Sequence, residues 1–290
     1  KNSQTVDILK RLFRNRSAVL GMIIFMCIIV IALSADMLFA YETQVIKQDI
    51  MNRLQGPSSE HWFGTDEMGR DIFARTLYGA KYSLKIGFAA SIVSLAVGLV
   101  IGAVAGYYGG MIDMILDRIS DILSGVPFVV VTTLFQLHLA QKVGIVPSFL
   151  FAFVLTGWIS MAALTRKQFY RFKSQEFVMA ARTLGASDWR LMFKHIFPNA
   201  IGTIITSCAL VIPGVINSET SMTYLGIVNL SDVFGTTIGT LLSQGNAAVT
   251  TAPHAMLWPS IFISLLMISF NLFGNGLRDA FNPSMRGVED

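Results

Sequence analysis

Residues 166–198, RKQFYRFKSQEFVMAARTLGASDWRLMFKHIFP, form a charged stretch set in an otherwise apolar chain, between uncharged runs at 143–165 and 196–218. Runs of that length match the roughly 20 apolar residues that cross a bilayer, so the stretch reads as a loop joining two spans where the chain meets water. Ser174 is placed to cap a helix whose first turn holds Glu176, an acid at the positive end of the helix dipole. Phe177, Ala181 and Leu184 fall at i, i+4 and i+7 on one face, and Ala180 and Ala181 let a partner come close. Gly185 tolerates the positive φ that commonly ends a helix. Ser187 then caps a second helix with Asp188 in its first turn, Trp189, Met192, Phe193 and Ile196 along one side, and Pro198 as its stop. The expected shape is helix, tight turn, helix, lying across the membrane surface. Periodicity alone leaves two uses open: a basic amphipathic loop resting on lipid headgroups, or a corner offered to a soluble partner.

Composition directs the chain to a membrane class. Of its 290 residues 53% are hydrophobic and 14% charged, with mean hydropathy +0.59, too apolar for a water-soluble globule. The net charge of +4 comes from basic residues that sit beside apolar runs, which argues for membrane topology and against nucleic-acid binding. Cys27 and Cys208 lie inside apolar runs and read as packing residues. Residues 17–35 carry no charge and follow Lys1, Lys10, Arg11, Arg14 and Arg16. A signal peptide is the competing reading there, but the run exceeds the roughly 7–15 residues of a signal core, so a retained first span is expected. Further charge-free runs at 86–112, 122–141, 143–165, 196–218 and 255–277 bring the expected count to six transmembrane helices with both ends in the cytosol. Lys and Arg are about twice as frequent on the segments placed inside as on those placed outside, in keeping with that orientation.

The pattern Met179-Ala180-Ala181, then Gly185, then His195-Ile196-Phe197-Pro198 resembles the EAA loop of the membrane subunits of binding-protein-dependent ABC importers, with Met179 where that family has Glu. The segment Phe63-Gly64-Thr65-Asp66-x-x-Gly69-Arg70-Asp71, followed by Arg75 and Gly79, is similar to the opening signature of the second membrane subunit of the oligopeptide, dipeptide and nickel importers. The tail from Leu277-Arg278-Asp279 to Asn282-Pro283 resembles that subfamily's ending. The resemblance implies an all-α, type I ABC importer-like fold with a coupling helix that docks on an ATPase. Glu176, Phe177, Ala180, Ala181, Arg182, Thr183, Leu184, Gly185 and Ala186 would form that docking surface. The implied partners are a homologous second permease subunit, two ATPase subunits that bind ATP and Mg, an extracellular or periplasmic peptide-binding protein, and the lipid membrane of a bacterial cell. Oligopeptides are the implied cargo, with dipeptides or nickel chelates as alternatives.

The expected organisation is a cytosolic N-terminus with first helix (1–40), an outer loop (41–83), a five-helix core (84–277) and a cytosolic tail (278–290). Within the outer loop, residues 61–75 read as a capped amphipathic helix with acid-first pairs Asp66/Arg70 and Asp71/Arg75. Ala90, Ser94, Gly98, Gly102, Gly106 and Gly110 recur every four residues in the second span, a stripe for static packing or for sliding. Asp113, Asp117, Arg118 and Asp121 follow at helical intervals and suggest an inner-surface contact. Residues 219–253 are rich in Gly, Thr and Ser and are expected to fold over the outer mouth. Glu219 at a span edge is a candidate for the substrate pathway or for a structural salt bridge, and Asn271 for the pathway or for helix packing. No G-x-x-x-x-G-K-[ST] loop, metal-ligand spacing or catalytic triad is present in the sequence, so a non-catalytic chain is expected. A stand-alone secondary transporter would call for an inverted repeat and midplane charges, which are not visible.

Overall fold

The computed structural model describes residues 4–281, and these are helical apart from connecting segments and one isolated antiparallel bridge between Thr65 and Asp71. The chain opens with α1 (Gln4–Arg14), α2 (Arg16–Leu33) and the single turn α3 (Ala35–Leu38). A π-turn (Tyr41–Ile46) and a 3₁₀ turn (Ile50–Asn52) lead to the long α4 (Ile72–Tyr108). Next come α5 (Gly110–Ser124), α6 (Phe128–His138), α7 (Ala140–Val143), α8 (Ile145–Thr156) and α9 (Ile159–Lys173). The charged stretch continues as α10 (Glu176–Thr183), α11 (Asp188–Arg190) and a π-turn (Leu191–Ile196) before α12 (Phe197–Tyr224). Then α13 (Ser231–Phe234), α14 (Ile238–Ala247) and α15 (His254–Phe281) complete the described chain. The expected Asn282-Pro283 ending lies outside the described residues.

Five segments are long and apolar enough to cross a membrane: Arg16–Leu33, Ile72–Tyr108, Ile145–Lys173, Asp188–Tyr224 and His254–Phe281. The sixth expected run, 122–141, is broken. α5 ends at Ser124 and Pro127, which has no N–H to donate, becomes the N-cap of the 11-residue α6. At 1.5 Å per residue α6 reaches about 16 Å, roughly half the hydrocarbon thickness. The second span ends before residue 112, because Gly109 and Gly110 take φ of +69° and +56°.

The expected helix over 61–75 is also corrected. Gly64 (φ +77°) and Gly69 (φ +70°) turn that segment into irregular backbone, and the helix starts at Ile72. Asp71 caps it, accepting the Ala74 N–H at 2.8 Å, and also holds His61 at 2.7 Å. Asp66 does pair with Arg70 at 2.9 Å, but Arg75 turns to Asp66 instead of Asp71.

At the other end of the bundle, two boundaries shift. The fourth span runs past Thr165 to Lys173, so the loop proper is only 174–187. Pro198 does not stop a helix; it sits in the first turn of α12, where a missing N–H costs nothing. The preceding π-turn passes the Phe197 N–H to the Met192 carbonyl, and the Asn199 amide reaches the His195 carbonyl at 2.7 Å.

α4 is the spine, and its small-residue stripe fixes where α9 lies. A Cβ on Gly98 would stand 2.6 Å from the Trp158 carbonyl oxygen, and one on Gly106 would stand 2.6 Å from that of Arg166. Ser94 donates to the Phe153 carbonyl at 3.2 Å across the same seam. The stripe therefore packs backbone against backbone, the chief means of joining helices where lipid supplies no hydrophobic drive. A Cβ on Gly110 would meet nothing within 4 Å, so Gly110 is not part of it. α2 meets α15 likewise, with Gly21 seated against Leu272, and Cys208 packs beside Met161, Ala200 and Ile204 while Cys27 faces outward.

Candidate docking corner and the site residues

The corner is built on Val178. It is 1% exposed and packs with Ala103, Tyr107, Phe169, Leu191, Met192 and Ile196, fastening α10 to the ends of α4 and α9 and to the start of the fifth span. Gln175, not Ser174, precedes the helix as its N-cap, because Ser174 closes α9 and turns its hydroxyl back to the Arg171 carbonyl. Gly185 takes φ +80°, with the Ala186 N–H returning to the Ala181 carbonyl at 3.1 Å and the Gly185 N–H to the Arg182 carbonyl at 2.9 Å. Ser187 then caps α11 through the Arg190 N–H at 3.4 Å.

Of the candidate docking residues, Glu176, Phe177, Ala180, Arg182, Thr183, Leu184 and Gly185 are exposed, and Ala181 and Ala186 are half-buried. The surface is apolar at its centre: Leu184 is 88% exposed and Trp189 71%, joined by Met179, Phe177 and Phe193. Trp189 and Phe193 contact ring to ring at 4.0 Å, while Met192 and Ile196 of the expected common face point inward. Basic side chains border it: Arg171, Lys173, Arg182, Arg190 and Lys194. A hydrophobic patch of this kind on a rigid corner marks an interaction surface.

Sequence reasoning missed Tyr107. It is 2% exposed at the last turn of α4, donates its hydroxyl to Asp188 at 2.5 Å and accepts from Arg182 at 3.2 Å. The Lys173 ammonium and Arg182 guanidinium lie 5.6 and 5.8 Å from its ring centroid. In the sequence it is one of two adjacent tyrosines at the end of an apolar run, and nothing there separates it from Tyr108, which is half exposed.

The acid cluster is partly spoken for. Arg166 of α9 bridges Asp113, at 2.7 Å, and Asp117 of α5, while Arg118 and Asp121 pair with each other at 3.3 Å in the open. The three acids line a cavity of about 160 Å³ between α5 and α9, together with Ser120, Trp158 and Arg166.

The two pathway candidates are placed apart. Glu219 is fully buried, with Thr220 and Thr223 hydroxyls donating at 3.3 Å each and Ser83 and Thr237 hydroxyls also turned to it, below the N-terminus of α14. It makes no salt bridge among the described residues; hydroxyls surround its carboxyl instead. Asn271 is exposed on α15 and donates to the Met267 carbonyl of its own helix at 2.9 Å.

At the far end, residues 61–71 and α13–α14 form one layer. The Arg75 guanidinium, fully buried, reaches Asp66, Gln244 at 2.9 Å and the Gly235 carbonyl at 3.4 Å. Tyr41 donates to the Phe234 carbonyl at 3.0 Å, and burial raises its phenol above the usual value. A groove of about 450 Å³ opens beside it, lined by Tyr41, Gln48, Arg70, Asp232 and Gln244 among others.

Comparison with known proteins agrees with this geometry. Residues 98–287 match the family model described as binding-protein-dependent transport system inner membrane component, and residues 3–57 match the N-terminal TM domain of oligopeptide transport permease C. The chain is 39% identical over 280 residues to the oligopeptide transport system permease protein OppC of Bacillus subtilis, covering 97% of this chain and 90% of that one. It is 35% identical over 285 residues to the dipeptide transport system permease protein DppC of the same organism, covering 98% and 87%. To OppC of Escherichia coli K12 it is 32% identical over 280 residues, covering 97% and 91%. Its helices and these matches make it a multi-pass inner membrane protein. With one family model covering more than half its length, the chain belongs to the binding-protein-dependent transport system inner membrane components and has the type I ABC importer permease fold.

Proposed function

We propose that this chain is the permease subunit of an ATP-driven importer that carries oligopeptides across the cytoplasmic membrane. The observation that carries the reading is the Gly185 corner: fastened from behind by Val178 and Tyr107, yet apolar and exposed in front. Two ATPase subunits dock on the cytosolic side, one of them on this corner, and a homologous permease completes the pathway. An external peptide-binding protein delivers cargo at the far end, where residues 61–71 and α13–α14 form the receiving layer. In this reading both termini are cytosolic, which is supported by the packing of Ala280 near the end of α15 on α1 and of Phe281 against Gly202 near the corner.

ATP-dependent closure of the ATPases displaces the corner and biases the bundle between inward-open and outward-open states; their differential contact with the corner is what couples hydrolysis to access. The chain supplies the lever and the ATPases supply the stroke. Oligopeptides are favoured by the match of residues 3–57 to the oligopeptide permease domain, and dipeptides, after the DppC relatives, are the alternative cargo.

Vesicles containing the reconstituted assembly test this directly. Labelled oligopeptide uptake is expected to require both ATP and the external binding protein, and to be competed by longer peptides more than by dipeptides or nickel chelates. Uptake driven by an ion gradient with ATP absent would overturn it.

A further inference from the structure

α1 presents three different sides. Leu12 is buried and Ile8 half-buried, packed against Ala18 of α2 and Ala280 of α15. Val6, Leu9 and Phe13, spaced i, i+3 and i+7, stand 40%, 51% and 57% exposed. Lys10 and Arg14 are exposed on the remaining side, Arg11 is half-buried, Arg16 opens α2, and Asp7 is the lone acid of the helix. An apolar strip bordered by cations is how a helix lies in a membrane interface, with the strip among acyl chains and the cations at headgroup level. α2 continues from α1 with Leu20, Ile23 and Met26 exposed on its outer side, so bilayer contact along the first span extends onto the strip. Three side chains are too small a patch for a stable protein interface, which takes about 800 Å² per partner.

We propose that α1 is a binding surface for anionic lipid, with Val6, Leu9 and Phe13 seated in the acyl boundary and Lys10, Arg11, Arg14 and Arg16 against phosphate. The full chain in nanodiscs tests it, using a spin label at Phe13→Cys in a Cys27→Ser, Cys208→Ser background. With phosphatidylglycerol present, the label is expected to gain oxygen access and lose access to a water-soluble nickel chelate, a contrast several-fold above that in phosphatidylcholine alone. Lys10→Glu with Arg16→Glu is expected to abolish the difference, and inorganic phosphate added to phosphatidylcholine discs to produce none. Equal contrast in the two lipids, a water-exposed label in both, or a label shielded from oxygen and nickel alike in the assembled transporter would overturn the proposal.

A second observation stands independently of the first and rests on the coupling function proposed above. Tyr107 lies in the last turn of α4, the helix whose glycine stripe is locked to α9, and its hydroxyl holds both arms of the corner, Arg182 of α10 and Asp188 of α11. We infer that Tyr107 is a positioning residue that passes displacement of the corner into α4. Tyr107→Phe keeps the ring and its packing and removes only the hydroxyl, and both released side chains are exposed and stay solvated. The variant is expected to keep its ATPases on copurification and keep basal hydrolysis, while peptides imported per ATP fall several-fold. Asp188→Asn added to it should lower coupling no further. Unchanged stoichiometry, independent losses in the double variant, or loss of the ATPases on copurification would overturn the inference. Uncoupling by Gly185→Val beside a normal Tyr107→Phe would sink this role alone; normal uptake in Gly185→Val would sink the coupling reading itself.

Discussion

Gly185 shows how much one residue decides. A Cβ there would meet nothing within 4 Å, so its requirement is set entirely by φ +80°. A β-branched residue in that conformation is strained by about 1–3 kcal/mol, whereas asparagine visits it readily. Gly185→Val is therefore expected to reduce peptide uptake by an order of magnitude or more, and Gly185→Asn to retain most of it, in whole-cell uptake at matched membrane abundance. The positive φ was legible in the sequence because glycine is the residue that commonly takes it at a helix end. Tyr107 was not legible, because its importance comes from two partners 75 and 81 residues away. Val178 was missed for a related reason: the i, i+4, i+7 pattern selected Phe177 and Leu184, which are the outward face of α10, while the residue between them is the anchor.

Among elements, the seam of α4 with α9 carries the clearest consequence. Gly98→Leu would drive a side chain into the Trp158 carbonyl and Met161, and backbone cannot yield as a flexible side chain does. The variant is expected to lose several degrees of thermal stability in detergent and most of its yield, whereas Gly110→Ala, outside the seam, acts only through its local backbone. The charged clasp beside it behaves differently: Arg166→Gln leaves Asp113 and Asp117 adjacent and unpaired, a repulsion of a few tenths of a kcal/mol between i, i+4 acids. Apolar runs announced five of the spans, because a charge-free stretch has few other uses. The sixth is present as the shorter apolar helix α6, because Pro127 interrupts the run at 122–141 and hydropathy counts side chains and not backbone donors. The helix over 61–75 failed similarly: its acid-base pairs satisfy the i, i+4 rule, but Asp71 is engaged as a cap and Arg75 is buried against Asp66.

Across the whole molecule, the two ends answer to different chemistry. The far end is closed by polar clasps, among them Asp36 with Lys81, whose hydrogen bond holds the Asp36 carboxyl below its ordinary value of 3.8. A depressed carboxylate stabilises the fold fully above that ordinary value and loses its contribution as pH falls through the lower folded one. Asp36 is largely exposed, so the effect is on the order of a few tenths of a kcal/mol. Melting curves of wild type and Asp36→Asn are expected to differ slightly at neutral pH and converge below pH 3.8.

The opposite end presents an exposed apolar corner bordered by basic side chains and fastened from behind, the surface on which the proposed function has an ATPase push. A photo-reactive benzophenone side chain placed at Leu184, activated in native membranes containing the complete assembly, probes that claim most directly. The expected product is a covalent adduct with an ATPase subunit whose yield changes when nucleotide is trapped; adducts only with lipid or with the external binding protein would contradict it.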